Sequence, residues 1–409
     1  MNILVVSQYF WPENFRINDL TAGLVDRGHN VTVLTGIPNY PAGRFFPGYG
    51  LFRKKRQRYC GAEVVRIPLI PRGKGGPIPL ALNYLSFALL ASVLAPFLCR
   101  KNIDIIFVCQ QSPVTVGLPA LVLKRIKRRP ILLWILDLWP ESFAATSTIR
   151  SHKVLEAVEK VAHFIYRGAD RILVVSLGFV PSLCARGIER ERIDYFPNWV
   201  EPEYSTVQNH NLQTEGPRLP GGFQIMFAGN IGVAQDFETI LAAAEKLKAH
   251  PDINFVVIGD GRKFEWLKDE VQRRGLHGHM HLLGRHEPSE MSSFFAHADA
   301  MLVTLKKDSV FSITVPGKIQ SYMACGRPIV AALDGEGARV IKESGAGLVS
   351  PAEDTEGLAS IILAMYRMPR LDREAMGRQG RKYCESNFQR EVLIDRLESW
   401  IQEMITSDR

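Results

Sequence analysis

Short runs of consecutive apolar residues recur along the whole chain, and between them the apolar positions return every three or four residues. A run that is apolar at every position suits a strand buried on both faces of a parallel sheet, and the longer period is that of an amphipathic helix. In the first half the runs predict strands at 3–7, 30–35, 62–67, 103–109, 130–136, 171–175 and 193–196. Helices fall between them, for example 14–26, stopped by Gly28, and 151–166, stopped by Gly168. A polar stretch bearing Pro and Gly breaks the series after Phe196 and reads as a linker. A second series follows, with strands at 223–228, 253–258, 280–283, 300–304, 328–333 and 347–349 and closing helices at 355–366, 373–386 and 390–404. The expected architecture is α/β, with two facing Rossmann-like doubly wound domains. They span 1–200 and 222–386, joined by a linker over 201–221, and a last helix of about 387–409 returns to the first domain. In such sheets ligands bind in the crevice outside the carboxyl ends of the strands.

One stretch departs from the alternation. Residues 75–99 carry no charge and are flanked by cations: Arg53-Lys54-Lys55-Arg56-Gln57-Arg58, Arg66, Arg72 and Lys74 before, Arg100-Lys101 after. Its length would let it cross a bilayer. Pro77, Pro79, Pro96 and Asn83 argue instead for a helix of about 15 residues, and cations on both flanks fit poorly with the orientation bias of a true span. Three readings stay open: a buried helix of the first domain, an interfacial helix dipping into a bilayer, and a span. The charge balance bears on the choice. Residues 1–200 hold 26 Lys and Arg against 13 Asp and Glu, and the remainder 24 against 29. A basic half implies an anionic partner. Nucleic-acid sites interleave aromatics with their cations, whereas here the cations border an apolar segment, so the partner expected is an anionic membrane surface and not nucleic acid. Met1-Asn2 leads directly into a strand without a signal peptide.

The six cysteines form no CxxC pair and no zinc spacing with histidine, so they read as reduced thiols, and no metal or cofactor is expected. Candidate chemistry begins at Pro316-Gly317-Lys318. Pro316 suits the first turn of a helix and Gly326 the left-handed position beyond its end. Lys318 would then join the free N–H groups and the positive dipole end of a helix, which is an anion site. The alternative is a surface lysine on an ordinary crossover. Three further glycine turns end strands of the same domain, at Gly229-Asn230, Gly259-Asp260-Gly261 and Gly284-Arg285-His286. Glycine there lets the backbone approach a ligand closely. None of them matches a dinucleotide fingerprint or a P-loop.

Asp137 and Glu141 follow the apolar run Ile131–Leu136. Asp137 reads either as a helix N-cap or as a carboxylate at a strand end beside a reacting group, where it would orient a hydroxyl, take its proton or stabilise positive charge. Glu13, in the Pro12-Glu13 turn, has the same two readings. His29 marks a helix-to-strand turn, and His163 is structural.

The runs "FAGNIG…DFETIL", "VVIGDG", "LLGR", "ADAMLVTL" and "YMACGRPIV" resemble, in order and spacing, the donor-binding domain of glycosyltransferase family 4, which has the GT-B fold. Gln8–Asn14, Arg27–Thr35, Thr35–Pro41 and Asp137–Glu141 extend the resemblance to the first half, and to a bacterial surface-polysaccharide branch that includes O-antigen, colanic-acid and L-fucosamine transferases. The resemblance implies a retaining, metal-independent transferase moving a sugar from a UDP-linked nucleotide-diphosphate donor, with UDP-L-FucNAc as one candidate, to a polyprenyl-diphosphate-linked saccharide. It implies a cytoplasmic protein, peripheral or monotopic on the inner face of the cytoplasmic membrane. Base and ribose would lie near Gly259–Gly261 and Gly284–His286, and the diphosphate between Lys318 and the Glu13–Arg16 turn.

The family pattern is broken in two places. Asn230 and Gln235 stand where the family carries Arg and Lys, and Ile313 and Ser321 where it carries a pair of glutamates. A departing diphosphate needs compensating charge. Lys318 is the first candidate, with Lys306, Lys307, Arg285 and Arg16 behind it, and Ser321 marks where the ribose must be held differently. A nucleotide-sugar epimerase on the same fold and an inactive membrane-bound scaffold are the alternative functions.

Overall fold

The computed structural model describes residues 1–51, 53–74, 76–99, 102–146, 151–201, 204 and 219–407. The linker expected at 201–221 and the Arg100-Lys101 flank lie mostly outside them. The chain forms two compact units, Met1–Pro197 with Ile394–Arg409 and Asn198–Leu393.

The first unit holds strands β1 (Asn2–Val6), β2 (Asn30–Gly36), β3 (Arg56–Tyr59), β4 (Ala62–Ile67), β5 (Ile105–Gln110), β6 (Ile131–Ile135), β7 (Arg171–Val174) and β8 (Ile193–Tyr195). They lie side by side in the order β3-β4-β2-β1-β5-β6-β7-β8. All pairs are parallel except β3 with β4. Its helices are α1 (Arg16–Asp26), α2 (Pro77–Leu98), α3 (Gly117–Lys127), α4 (Glu141–Thr146), α5 (His152–Gly168) and α6 (Val180–Ala185). The central strands β5 and β6 are buried at every position, as covered faces require. Antiparallel β3 escapes the sequence reading because Arg56-Gln57-Arg58-Tyr59 is polar; it is an edge strand, where charge is tolerated.

The second unit has strands β9 (Phe223–Ala228), β10 (Ile253–Ile258), β11 (Met280–Gly284), β12 (Ala300–Thr304), β13 (Ile329–Ala332) and β14 (Gly347–Ser350), in the order β11-β10-β9-β12-β13-β14. Every pair is parallel. The reversal on either side of β9 marks the topological switch of a doubly wound sheet. Helices α7 (Phe237–Lys246), α8 (Phe264–Arg273), α9 (Pro288–Ala296), α10 (Ser309–Ser312), α11 (Gly317–Ala324), α12 (Gly335–Ser344), α13 (Thr355–Arg367) and α14 (Arg370–Asn387) follow the strands. The last helix, α15 (Arg390–Ser407), packs on the first unit from Ile394 onward. Arg27 pairs with Glu398 at 2.5 Å, Arg171 with Glu403 at 2.6 Å, and the Trp400 ring meets Phe196 edge-on.

Helix α2 is longer than the expected 15 residues: it runs unbroken for 22. Pro77 and Pro79 fall in its first turn, where N–H groups have no intrahelical partner, and Pro96 falls in its last. One face, with Asn83, Phe87, Ala88, Ala91 and Ala95, is buried against the unit. The opposite face is apolar and exposed: Ile78, Leu82, Leu85, Leu89, Val93 and Phe97, with Leu89 66% exposed. The helix is therefore neither a fully buried core element nor free of the fold. Phe87→Ala should cost about 3–5 kcal/mol of stability. Leu89→Ala should stay within about 0.5 kcal/mol. Urea midpoints of the two variants check this.

Candidate active site

The four glycine turns singled out in the second half come together in the structure. Three end the neighbouring strands β9, β10 and β11, and the fourth opens α11. Backbone hydrogen bonds knit them: Gly229 N–H donates to Ile258 O at 2.9 Å, Gly259 N–H to Gly284 O at 2.7 Å, and Ile231 N–H to Asp260 O at 2.8 Å. Gly229 has φ +130° and Gly259 φ +139°. A Cβ on Gly259 would lie 1.9 Å from Gly229 O, and one on Gly229 2.8 Å from Lys318 Cε. Only glycine permits this approach, and it leaves the lysine lying along the turn.

Lys318 is the second residue of α11. Its half-buried ammonium stands 3.5 Å from the centroid of the Phe227 ring and makes no ion pair among the described residues. Burial alone pulls it from the usual lysine range to about 7. The Tyr322 hydroxyl pins α11 to β9 by bonding both Ala228 N (3.0 Å) and Ala228 O (3.1 Å). An under-compensated cation at a helix N-terminus, against a close-packed backbone turn, has the chemistry to receive an anion.

The residues at the altered family positions take structural roles. The Gln235 side chain accepts from Gly232 N at 3.1 Å, and its carbonyl accepts from the Thr304 hydroxyl. Asn230 is exposed. Lys306 N–H donates to Ala234 O at 2.9 Å, so this lysine starts beside the same loop, while the Lys307 backbone is tied to Glu353. Ser321 donates to Gly317 O at 3.3 Å, within its own helix. Gly261 N–H bonds the exposed Asp260 carboxylate at 2.6 Å. Arg285 is exposed, and His286 lies edge-on to Phe294 and 3.3 Å from Glu290.

In the first unit Asp137 and Glu13 separate chemically. Asp137 is not a helix cap: its carboxylate accepts from the Ser112 hydroxyl at 3.0 Å, and α4 begins four residues later. Burial raises its pKa against that hydrogen bond. Glu13 uses both oxygens on backbone, accepting from Asn39 N (2.8 Å), Tyr40 N (2.7 Å) and Phe10 N (3.2 Å). Burial still lifts its carboxyl to about 7. Glu13 thus ties the loop after β1 to the loop after β2, a positioning role. Arg16 opens α1 beside this turn.

Two groups went unread in the sequence. The buried side chain of Asn83 on α2 takes a hydrogen bond from Gln8 Nε2 (2.8 Å) and donates to Ile70 O (2.6 Å) and Asn39 Oδ1 (3.3 Å). Its neighbour Tyr84 lies against Trp139 and Tyr9. The signal was present: Asn83-Tyr84 are polar positions inside an otherwise apolar run. An open groove of about 1140 Å³ at the amino ends of β1 and β2 is lined by none of the expected site residues.

Residues 222–368 match the family described as glycosyl transferases group 1, and residues 14–199 the glycosyl transferase 4-like domain. The chain belongs to the family-4 glycosyltransferases. It is 25% identical to a probable glycosyltransferase of Pseudomonas aeruginosa, WbjE, over 68% of this chain and 70% of that one. It is 24% identical to a putative colanic acid biosynthesis glycosyl transferase of Escherichia coli K12, WcaI, over 80% and 82%. Among solved structures, Anabaena HepE in complex with UDP aligns with TM-score 0.69 at 15% identity, covering 98% of this chain and 100% of that one. The fold is GT-B. In this transferase Gly259→Ala should cost roughly 2–4 kcal/mol, because φ and backbone both oppose it. Gly229→Ala should cost less, about 1–2 kcal/mol, because its φ is strained for alanine but a flexible lysine end can give way where the backbone at Gly259 cannot. Thermal unfolding of the two variants tests the order.

Proposed function

We propose that this glycosyltransferase moves a sugar, with retention, from a UDP-linked donor to a polyprenyl-diphosphate-linked saccharide in bacterial surface-polysaccharide synthesis. UDP-L-FucNAc is the first donor to try. The observation that carries the reading is Lys318: a cation with no ion pair among the described residues, at the head of α11 and against the Gly229 turn. Its protein-borne charge would replace the missing Arg and Lys in neutralising the leaving diphosphate, without a metal ion. Base and ribose are assigned to the β10 and β11 turns, with Ser321 beside the diphosphate. Asp137 is the group we assign to the acceptor hydroxyl; its raised pKa suits a proton acceptor. The polysaccharide assignment is supported by the name of the Escherichia coli relative, and the uridine donor by the UDP complex of HepE.

Lys318→Ala should reduce acceptor-dependent UDP release by about 100-fold with EDTA present, the scale of losing one transition-state charge partner. Unchanged turnover would remove Lys318 from the mechanism. The pH dependence has a definite sign. Below about 7 the free lysine is charged; above it the free protein is increasingly neutral there, and a diphosphate must restore the proton. UDP binding should therefore weaken as pH rises from 7 towards 9, by up to about tenfold per unit, with proton uptake visible as a buffer-dependent calorimetric enthalpy.

The exposed apolar face of α2 and the Arg53–Arg58 cations support docking on the inner face of the cytoplasmic membrane. The helix offers area for burial, and each cation near anionic head groups adds about 1 kcal/mol. The protein should co-sediment with phosphatidylglycerol vesicles at low salt and much less at high salt. Leu89→Ser with Val93→Ser should abolish the residual high-salt fraction. Equal sedimentation of that double variant would refute the α2 assignment.

A further inference from the structure

We infer that Arg72, with the phenols of Tyr9 and Tyr84, forms a second anion subsite, in the first unit, that takes the phosphate group of a membrane-anchored acceptor. The inference rests on the lipid-linked acceptor proposed above. Three observations point to it. First, Arg72 is half-buried and forms no ion pair among the described residues. Its backbone N–H donates to Asn39 Oδ1 at 3.1 Å, and its guanidinium lies over the Tyr40 ring at 4.8 Å. Its charge acts on both Tyr9 and Tyr84. A guanidinium held this way presents a fork of donors that matches a phosphate.

Second, buried polar atoms at the carboxyl ends of β1 and β5 lack partners. Gln8 Oε1 and Gln111 Oε1 are buried without a hydrogen bond, and the buried Tyr9 hydroxyl pairs with that of Tyr84, which leaves one O–H of the pair free to donate. Such groups are costly unless something satisfies them. The phenol can donate to a phosphate, and the two amide oxygens can accept from sugar hydroxyls. Tyr84 packs on Trp139, whose indole N–H donates to Ser112 Oγ at 3.3 Å, and Ser112 donates to Asp137 at 3.0 Å, so a short chain of contacts joins the tyrosine to the proposed acceptor base.

Third, Tyr84 stands on α2 between Leu82 and Leu85, which are 46% and 50% exposed on its apolar face. A lipid tail lying on that face brings its head group within about one helical turn of Tyr84. A second source of the same charge is a uronic-acid carboxylate in the acceptor, and a third is bulk anionic phospholipid.

The test is done in full-length Lys318→Ala protein, so that diphosphate probes do not occupy the donor site. Farnesyl diphosphate, farnesol and glucuronate are titrated by intrinsic fluorescence, with and without Arg72→Gln. The expected result is at least tenfold weaker farnesyl diphosphate binding in Arg72→Gln, partial recovery in Arg72→Lys, and equal farnesol binding in both. Equal binding of farnesyl diphosphate to both proteins overturns the inference. So does Arg72-dependent binding of glucuronate alone, or an Arg72→Gln effect confined to phosphatidylglycerol vesicles. UDP titration of the single Arg72→Gln variant keeps the two readings apart. Retained UDP binding with unaltered farnesyl diphosphate binding sinks only this subsite, whereas a wild-type protein that ignores UDP sinks the donor assignment itself. A urea midpoint near wild type shows that the Arg72→Gln protein is folded.

Discussion

The second unit is organised around one unneutralised charge. Lys318 is held over the Phe227 ring by the closeness of the Gly229 turn, and no carboxylate among the described residues answers it. A cation over an aromatic face recovers about 0.5–2 kcal/mol, less than full desolvation costs, which is why its pKa falls to about 7. The arrangement makes physical sense only if an anion completes it. Tyr322, by gripping both the N–H and the C=O of Ala228, keeps the helix that carries this charge in register with the sheet. Moving α11 would move the ammonium away from the turns that frame it.

The first unit is organised differently, through uncharged contacts and one buried carboxylate. Glu13 gathers three backbone N–H groups from two loops, and Asn83 links the same loops to α2. Arg66 adds a third tie, donating to Gly36 O at 3.1 Å and Trp11 O at 2.5 Å. The helix with the exposed apolar face is therefore bonded to the loops at the carboxyl end of β1 and β2.

How much of this was readable follows from how local each signal is. Strands buried on both faces declare themselves, and β9, β10 and β12 begin and end at the residues their apolar runs indicate. Glycine turns are equally local, so the turns that end β9, β10 and β11 are legible in the sequence, whereas the approach of Lys318 to one of them is not. Features set by tertiary context were not. Strand β3 is polar because it is an edge, so its pattern hid it. The length of α2 is masked in the sequence by prolines that read as breakers, although two sit where a helix needs no N–H. Asp137 followed by a helix looks like a cap in sequence; only the Ser112 contact, from a loop 25 residues away, reveals otherwise. Arg72 counted merely as one more flanking cation.

The altered family positions acquire a physical meaning from this. Gln235 holds the Gly232 N–H where a lysine would have extended towards a ligand, so the loop gains an internal hydrogen bond and gives up a charge. A helix N-terminus supplies only about 0.3–1 kcal/mol to an anion near the surface, somewhat more when partly buried. It cannot by itself replace two cations. The remaining burden falls on Lys318, whose proton is loosely held in the free protein. Relatives with an arginine in this role carry a charge that never titrates. On the proposed donor role of Lys318, binding would depend on pH and on the ligand's own charge and would be strongest for a fully ionised diphosphate.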